Sequence, residues 1–295
     1  MGDWNNILEE IKNEESQFDF IRRKYLNELY LYTNRNIICY YSSWLTKPNV
    51  GDIDINDADM TGFMSCIHGL DCSKGLDLIL HTPGGSPAAA ESIVNYLRIK
   101  FNKDIRVFVP HMAMSAGTMI ACSAKEIYMG NHSSLGPIDP QFNGIPAFNI
   151  LSEFLEAKRD LVNNPDNVRY WSIKLQQYPA AFMKTAIDAI TLSGELAKEW
   201  LGTCMFDKSV KEDAIAIENI VKSLNEHDDS KIHGRHLNSD YCIGIGLKVK
   251  KLEDDPELQD KVLSLHHSYM ITMNSTNVTK IIENHKRKSY ICASK

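Results

Sequence analysis

Two short stretches of the sequence carry residue types suited to acyl chemistry. In VFVPHMAMSAGTMIACSA, residues 107–124, an apolar run gives way to Ala, Ser, Ala, Gly and Thr around Ser115. A hydroxyl held where a strand turns sharply into a helix can act as a nucleophile. The helix N-terminus there favours negative charge, and the next N–H can support an oxyanion. Ala113, Ala116 and Gly117 leave steric room around it. The same hydroxyl can also serve only as a helix N-cap, and the stretch is not GxSxG, because position 113 is Ala. The second stretch is HTPGG, residues 81–85. Pro83 fixes φ, while Gly84 and Gly85 reach conformations closed to other residues and let a substrate backbone come close. Such a turn can aim amide N–H groups at a developing oxyanion, or it can be a tight strand-to-helix connection and nothing more.

The elements that must position these turns follow from periodicity. LDLIL (76–80) and 105–109 read as buried strands that lead into the two turns, with a helix over 88–101 between them and another over 115–124. NIICYYS (36–42) is a further strand, and residues 126–129 a brief one ended by the Gly/Pro-rich loop GNHSSLGPIDPQ. Helical spacing marks 5–33, 57–70 and most of 147–225; the polar segment 226–237 reads as a loop. A helix, a strand and a helix follow, then SYICA as a last strand. Alternation of strand and helix predicts an α/β layer structure. In a parallel sheet both turns would emerge at the same edge, where ligands bind.

Composition narrows the function. The chain has 295 residues and a net charge of −6, which argues against a general nucleic-acid binder. The one short basic run, Lys286, Arg287 and Lys288, reads as solvated surface. Seven scattered cysteines without a CxxC pair read as reduced thiols, several of them buried, and not as a metal site. The first 30 residues lack the apolar core of a signal peptide, and no stretch approaches the ~18 apolar residues of a membrane span. We expect a cytoplasmic protein without a membrane span.

Taken together, LDLILHTPGG, VPHMAMSAGTMIA and SSLGPIDPQ resemble the serine dehydrogenase proteinase family, Clp-fold serine peptidases within the Clp-protease/crotonase superfamily. RNIICYYSSWL and GRHLNSDYC extend the resemblance over most of the chain. The archaeal relatives carry an N-terminal membrane segment, and no such stretch opens this sequence. The resemblance implies a ClpP/crotonase-like core of repeated ββα units with additional helices. It implies an N-terminal helical extension over 1–34, a Clp/crotonase-like domain over 35–295, and a helical insertion or cap over about 147–225. It further implies a serine endopeptidase needing no cofactor, acting on a peptide or protein substrate. Such a protein would be a homo-oligomer, with scope for a partner that delivers substrates.

Residue by residue, Ser115 matches the family's nucleophile and Asp139 of GPIDPQ its acidic motif. Two histidines of HGRHL compete for the base, His233 by its distance from Gly246 and Leu247, and His236 beside it. The position at which ClpP carries its histidine holds Ile138 and Asp139 here, and His132 reads as an exposed loop residue. Lys158 of EAKRD stands at a spacing resembling that of superfamily peptidases that pair serine with lysine, although a solvated helix face accounts for it as well. Gly84 or Gly85, together with Ala116, would supply the oxyanion N–H groups. His266 and His267 share a late helix, and we expect one packed and one exposed. Two other functions fit the same turns: a crotonase-type acyl-CoA hydratase or hydrolase, which would hold a thioester oxygen without a nucleophile, and a non-catalytic Clp-fold scaffold subunit.

Overall fold

The computed structural model describes residue 7, residues 17–225 and residues 234–294. In chain order the elements begin with α1 (Gln17–Thr33), β1 (Asn36–Ser42), α2 (Asp59–Ile67), β2 (Leu76–His81), α3 (Pro87–Phe101), β3 (Ile105–Val109), β4 (Met112–Ala113) and α4 (Ala116–Cys122). Next come β5 (Glu126–Met129), β6 (Ser134–Leu135), β7 (Gln141–Phe142), β8 (Ile145–Pro146), α5 (Ala147–Asn163), α6 (Val168–Leu175), α7 (Phe182–Trp200) and α8 (Lys211–Asn225). The chain closes with β9 (Leu237–Asn238), α9 (Ser239–Gly244), β10 (Val249–Lys251), α10 (Pro256–Ser275), β11 (Val278–Asn284) and β12 (Ser289–Ala293).

Seven strands form the main sheet in the order β10-β5-β3-β2-β1-β11-β12. The first five run parallel, β11 runs antiparallel to β1, and β12 runs antiparallel to β11. Every residue of β1 and β2 is buried. That is why these strands read as continuous apolar runs: helices cover both faces of the sheet. Side chains alternate across it. Ile38, Tyr40, Leu78, Leu80, Val107 and Val109 face one core with α2, α3, α4, α7 and α8. Ile37, Cys39, Tyr41, Ile79 and Phe108 face a second core closed by α1 and α10.

The expected α/β architecture is the observed one. The helix expected from residue 5 is described from Gln17 onward, and residues 226–233 of the polar loop, which include His233, lie outside the described residues. Strand β11, VTKIIEN, is an addition to the elements read from sequence. Lys280 and Glu283 interrupt its apolar pattern, yet both are buried. The Lys280 ammonium sits 2.7 Å from Asp59, and Glu283 binds Arg22 and Arg23. The basic run is also not simply solvated: Lys286 and Lys288 donate to the carbonyls of Gly69 and His68, just past the end of α2.

The edge where the parallel strands begin is stapled by charge. Buried Asp77 accepts from Arg35 at 2.8 Å and from Arg106 at 2.6 Å. Asp104 lies 2.8 Å from Arg35 and 2.5 Å from Lys125, and the Arg35 hydrogen bond, ahead of Lys125, draws its carboxyl down to about 2.

Candidate active site

Both glycine-assisted turns leave the opposite edge, where β2 and β3 end, and the backbone fastens them together. Thr82 donates from its N–H to the Met112 carbonyl at 3.1 Å and accepts from the Met114 N–H at 3.0 Å. This bridge aligns Thr82 with Ala113 and sets Gly84 against the serine turn. A Cβ added to Gly84, whose φ is 101°, would fall 2.7 Å from the Met114 carbonyl oxygen and 2.8 Å from Ser115 Cβ. No other residue fits there without moving the serine turn. Gly85 lies equally close to Ile55, whose N–H donates to the Gly84 carbonyl and whose carbonyl accepts from Ser86. That pattern leaves the Gly85 N–H outside the bridge.

Ser115 has φ 51° and ψ −115°. Such a conformation costs a non-glycine residue about 1–3 kcal/mol and persists only where the surroundings impose it. Ser115 occupies the N-cap position of α4 but makes no side-chain cap bond, so capping does not account for it. The residue is half-buried at the bend. Ala116, the first residue of α4, has an N–H with no acceptor inside the helix.

A second, three-stranded sheet gathers the remaining candidates. β6 pairs in parallel with β4 and antiparallel with β9, so Ala113, Leu135 and Leu237 stand in one row. Chain directions then fix what emerges from one end of this small sheet: Ser115 beyond Ala113, the loop 136–139 beyond Leu135, and His236 just before Leu237. Asp139 is fully buried and His236 is exposed. Lys158 is exposed on α5, and His132 is exposed, as expected of a loop histidine. The groove of about 830 Å³ between α5, α7 and α8 is lined by none of these candidates.

Sequence reasoning missed a layer of histidines directly behind the turns. His81, the last residue of β2, and His111, two residues past β3, have ring centroids 5.5 Å apart. His266 of α10 stands 5.5 Å from His81 and 5.8 Å from His111, and its Nδ1 lies 3.2 Å from the Tyr41 hydroxyl. His267 beside it is half-buried, where an exposed ring was expected. The His81 Nδ1 donates to the Met112 carbonyl at 3.2 Å, because a carbonyl only accepts. In the neutral ring its Nε2 is then unprotonated, and it is buried without a hydrogen-bond partner. Burial, and then His111, pushes the His81 imidazole down to about 3. Burial, then His132 and His236, lowers His111; burial likewise holds His266 well below the ordinary histidine value. A signal existed in the sequence: each strand that leads to a turn has a histidine at its last residue or within two residues of its end.

Among the described residues no group of three or more His, Cys, Asp or Glu side chains is arranged to hold a metal ion. All seven cysteines are free, with Cys39, Cys66, Cys122 and Cys242 buried. No described helix is long and apolar enough to cross a membrane.

Residues 42–168, which contain both turns and Asp139, match the family model described as ClpP-like SDH-type serine proteinase. This is the family that the motifs resemble, and the match falls on the part of the mixed α/β fold that carries both turns. Among curated relatives, the uncharacterized protein MJ0137 of Methanocaldococcus jannaschii is 47% identical over 78 residues, 26% of this chain and 27% of its own. MJ1495 of the same organism is 45% identical over 80 residues, again 27% of each. The chain thus spans about a quarter of the curated relatives it matches. A solved structure, a mutant of the 1510-N membrane-bound stomatin-specific protease, is 18% identical with a TM-score of 0.29, covering 67% of this chain and 92% of its own.

Proposed function

We propose that the protein is a serine endopeptidase whose nucleophile is Ser115. The observation that carries this reading is the strained backbone of Ser115, held against Gly84 and with no capping bond to account for it. In the reaction, Ser115 Oγ adds to the peptide carbonyl carbon and its proton passes to an imidazole. The carbonyl oxygen, now negative, accepts from the N–H groups of Gly85 and Ala116. Gly85 suits this better than Gly84, whose N–H already donates to Thr82 Oγ1 at 3.2 Å. The imidazolium returns its proton to the leaving amine. Water then hydrolyses the acyl-enzyme by the same route in reverse.

His236 serves as the base in this reading, with His233 as the alternative in the same HGRHL segment, and Asp139 orients the ring. Lys158, solvent-exposed on α5, has no part in it. A crotonase-type reaction would need the two amides but no strained hydroxyl. The substrate is a peptide or protein segment, and the working form is a homo-oligomer.

Reaction with a fluorophosphonate probe, followed by peptide mapping, tests the proposal. The probe should be found on Ser115 and be absent from Ser115→Ala. Labelling should fall by more than about 10³-fold in only one of His236→Ala and His233→Ala. Labelling that survives in Ser115→Ala overturns the reading, and a wild type that is never labelled overturns it in favour of a scaffold.

A further inference from the structure

We infer that Thr118 is a positioning residue for this reaction: its hydroxyl locks the nucleophile turn to the loop that carries Asp139. The inference rests on the peptidase reading above. Thr118 is fully buried in the first turn of α4, three residues past Ser115. Its Oγ1 donates to the Ala113 carbonyl at 2.8 Å and accepts from the Gly136 N–H at 2.9 Å. The Gly136 N–H also reaches the Ala113 carbonyl, at 3.3 Å. One hydroxyl thus closes a three-way junction between the residue two before the nucleophile and the residue three before the acid.

This is not the usual bond of a helical threonine, which returns to a carbonyl three or four residues back on its own helix. The accepting carbonyl is five residues back, in β4, and the donor belongs to another segment. The contact beyond the junction is tight. A Cβ on Gly136 would fall 2.8 Å from Met114 Cε and 3.2 Å from Met114 Cα, so this loop lies directly on the residue before Ser115. Further on, the Ile138 N–H donates to the Leu224 carbonyl at 2.8 Å, which fixes the far side of the loop next to buried Asp139. Position along the loop is therefore set at Ile138 by α8 and at Gly136 by Thr118. Loss of the hydroxyl leaves the second, the end that faces Ser115, to the longer 3.3 Å contact between the Gly136 N–H and the Ala113 carbonyl alone.

The test compares Thr118→Val, which keeps the shape and removes both hydrogen bonds, with Thr118→Ser, which keeps both bonds and removes a methyl group. The readouts are the rate of fluorophosphonate labelling at Ser115 and, with a fluorogenic peptide, kcat and KM separately. Thr118→Val should lose on the order of 10- to 100-fold in labelling rate and in kcat, with KM within about threefold of wild type. Thr118→Ser should recover most of that loss. Should the valine variant not fold, Thr118→Cys, which differs from Thr118→Ser only in carrying a weakly donating thiol for the hydroxyl, takes its place and is compared with Thr118→Ser. Wild-type rates in Thr118→Val, or a loss that Thr118→Ser shares equally, overturn the inference while leaving the peptidase reading intact. A wild-type protein that takes no label at Ser115 overturns both.

Discussion

The two edges of the main sheet are built on opposite principles. Where the parallel strands begin, each charge has its partner: Asp77 lies between Arg35 and Arg106, and Asp104 between Arg35 and Lys125. Where the same strands end, the chain holds Ser115 at positive φ and packs Gly84 backbone against it. It also leaves the buried His81 Nε2, Trp44 Nε1 and Ser43 Oγ without hydrogen-bond partners. A buried polar group without a partner costs about 1–3 kcal/mol, and strain adds a similar amount. Local rules of stability are thus satisfied at one edge and broken at the other, and the broken edge is where chemistry is proposed.

The largest effect expected from this contrast is at the stable edge. Asp77→Asn leaves two largely buried guanidinium groups facing a neutral amide and should destabilise the fold by about 3–5 kcal/mol, measured by urea denaturation. The molecules that remain folded should label at Ser115 at the wild-type rate. A variant that stays stable but loses labelling would break the contrast.

A smaller effect should appear at the other edge, and only in acid. His81 is held near 3 against an unfolded value of about 6.5, so the folded protein binds fewer protons than the unfolded chain between those values. The stability that neutral His81 contributes is complete above about pH 6.5 and lost progressively as pH falls toward 3. Between pH 7 and pH 5 the loss from this group is about 2 kcal/mol. Asp104, drawn down by its Arg35 hydrogen bond, behaves differently: its contribution is complete above about 3.8 and lost only toward 2. Denaturation at pH 7 and pH 5 separates the two edges. His81→Asn, whose amide can still donate to the Met112 carbonyl, should reduce the dependence in that window, leaving the part due to His111 and His266. An unchanged slope would remove His81 as its source.

Much of this was legible in advance because the signals are local. The strand runs ahead of HTPGG and MAMSAGT, and the helices after them, follow from periodicity, and parallel topology placed both turns at one edge. What stayed hidden depends on residues far apart in sequence. Strand β11 was obscured by Lys280 and Glu283, whose burial is offset by Asp59 and by Arg22 and Arg23, more than 200 positions away. The histidine layer joins the ends of β2 and β3 to α10, and no short window contains it. Nothing in the sequence singles out Thr118, because the carbonyl and amide it joins meet only once β4 and β6 pair.

The most direct test of the central claim is a crystal structure of the fluorophosphonate adduct. The phosphoryl oxygen that stands for the oxyanion should lie about 2.7–3.1 Å from both the Gly85 and Ala116 amide nitrogens, with phosphorus bonded to Ser115 Oγ. An adduct at Ser115 whose phosphoryl oxygen points to solvent, away from both amides, would contradict the account.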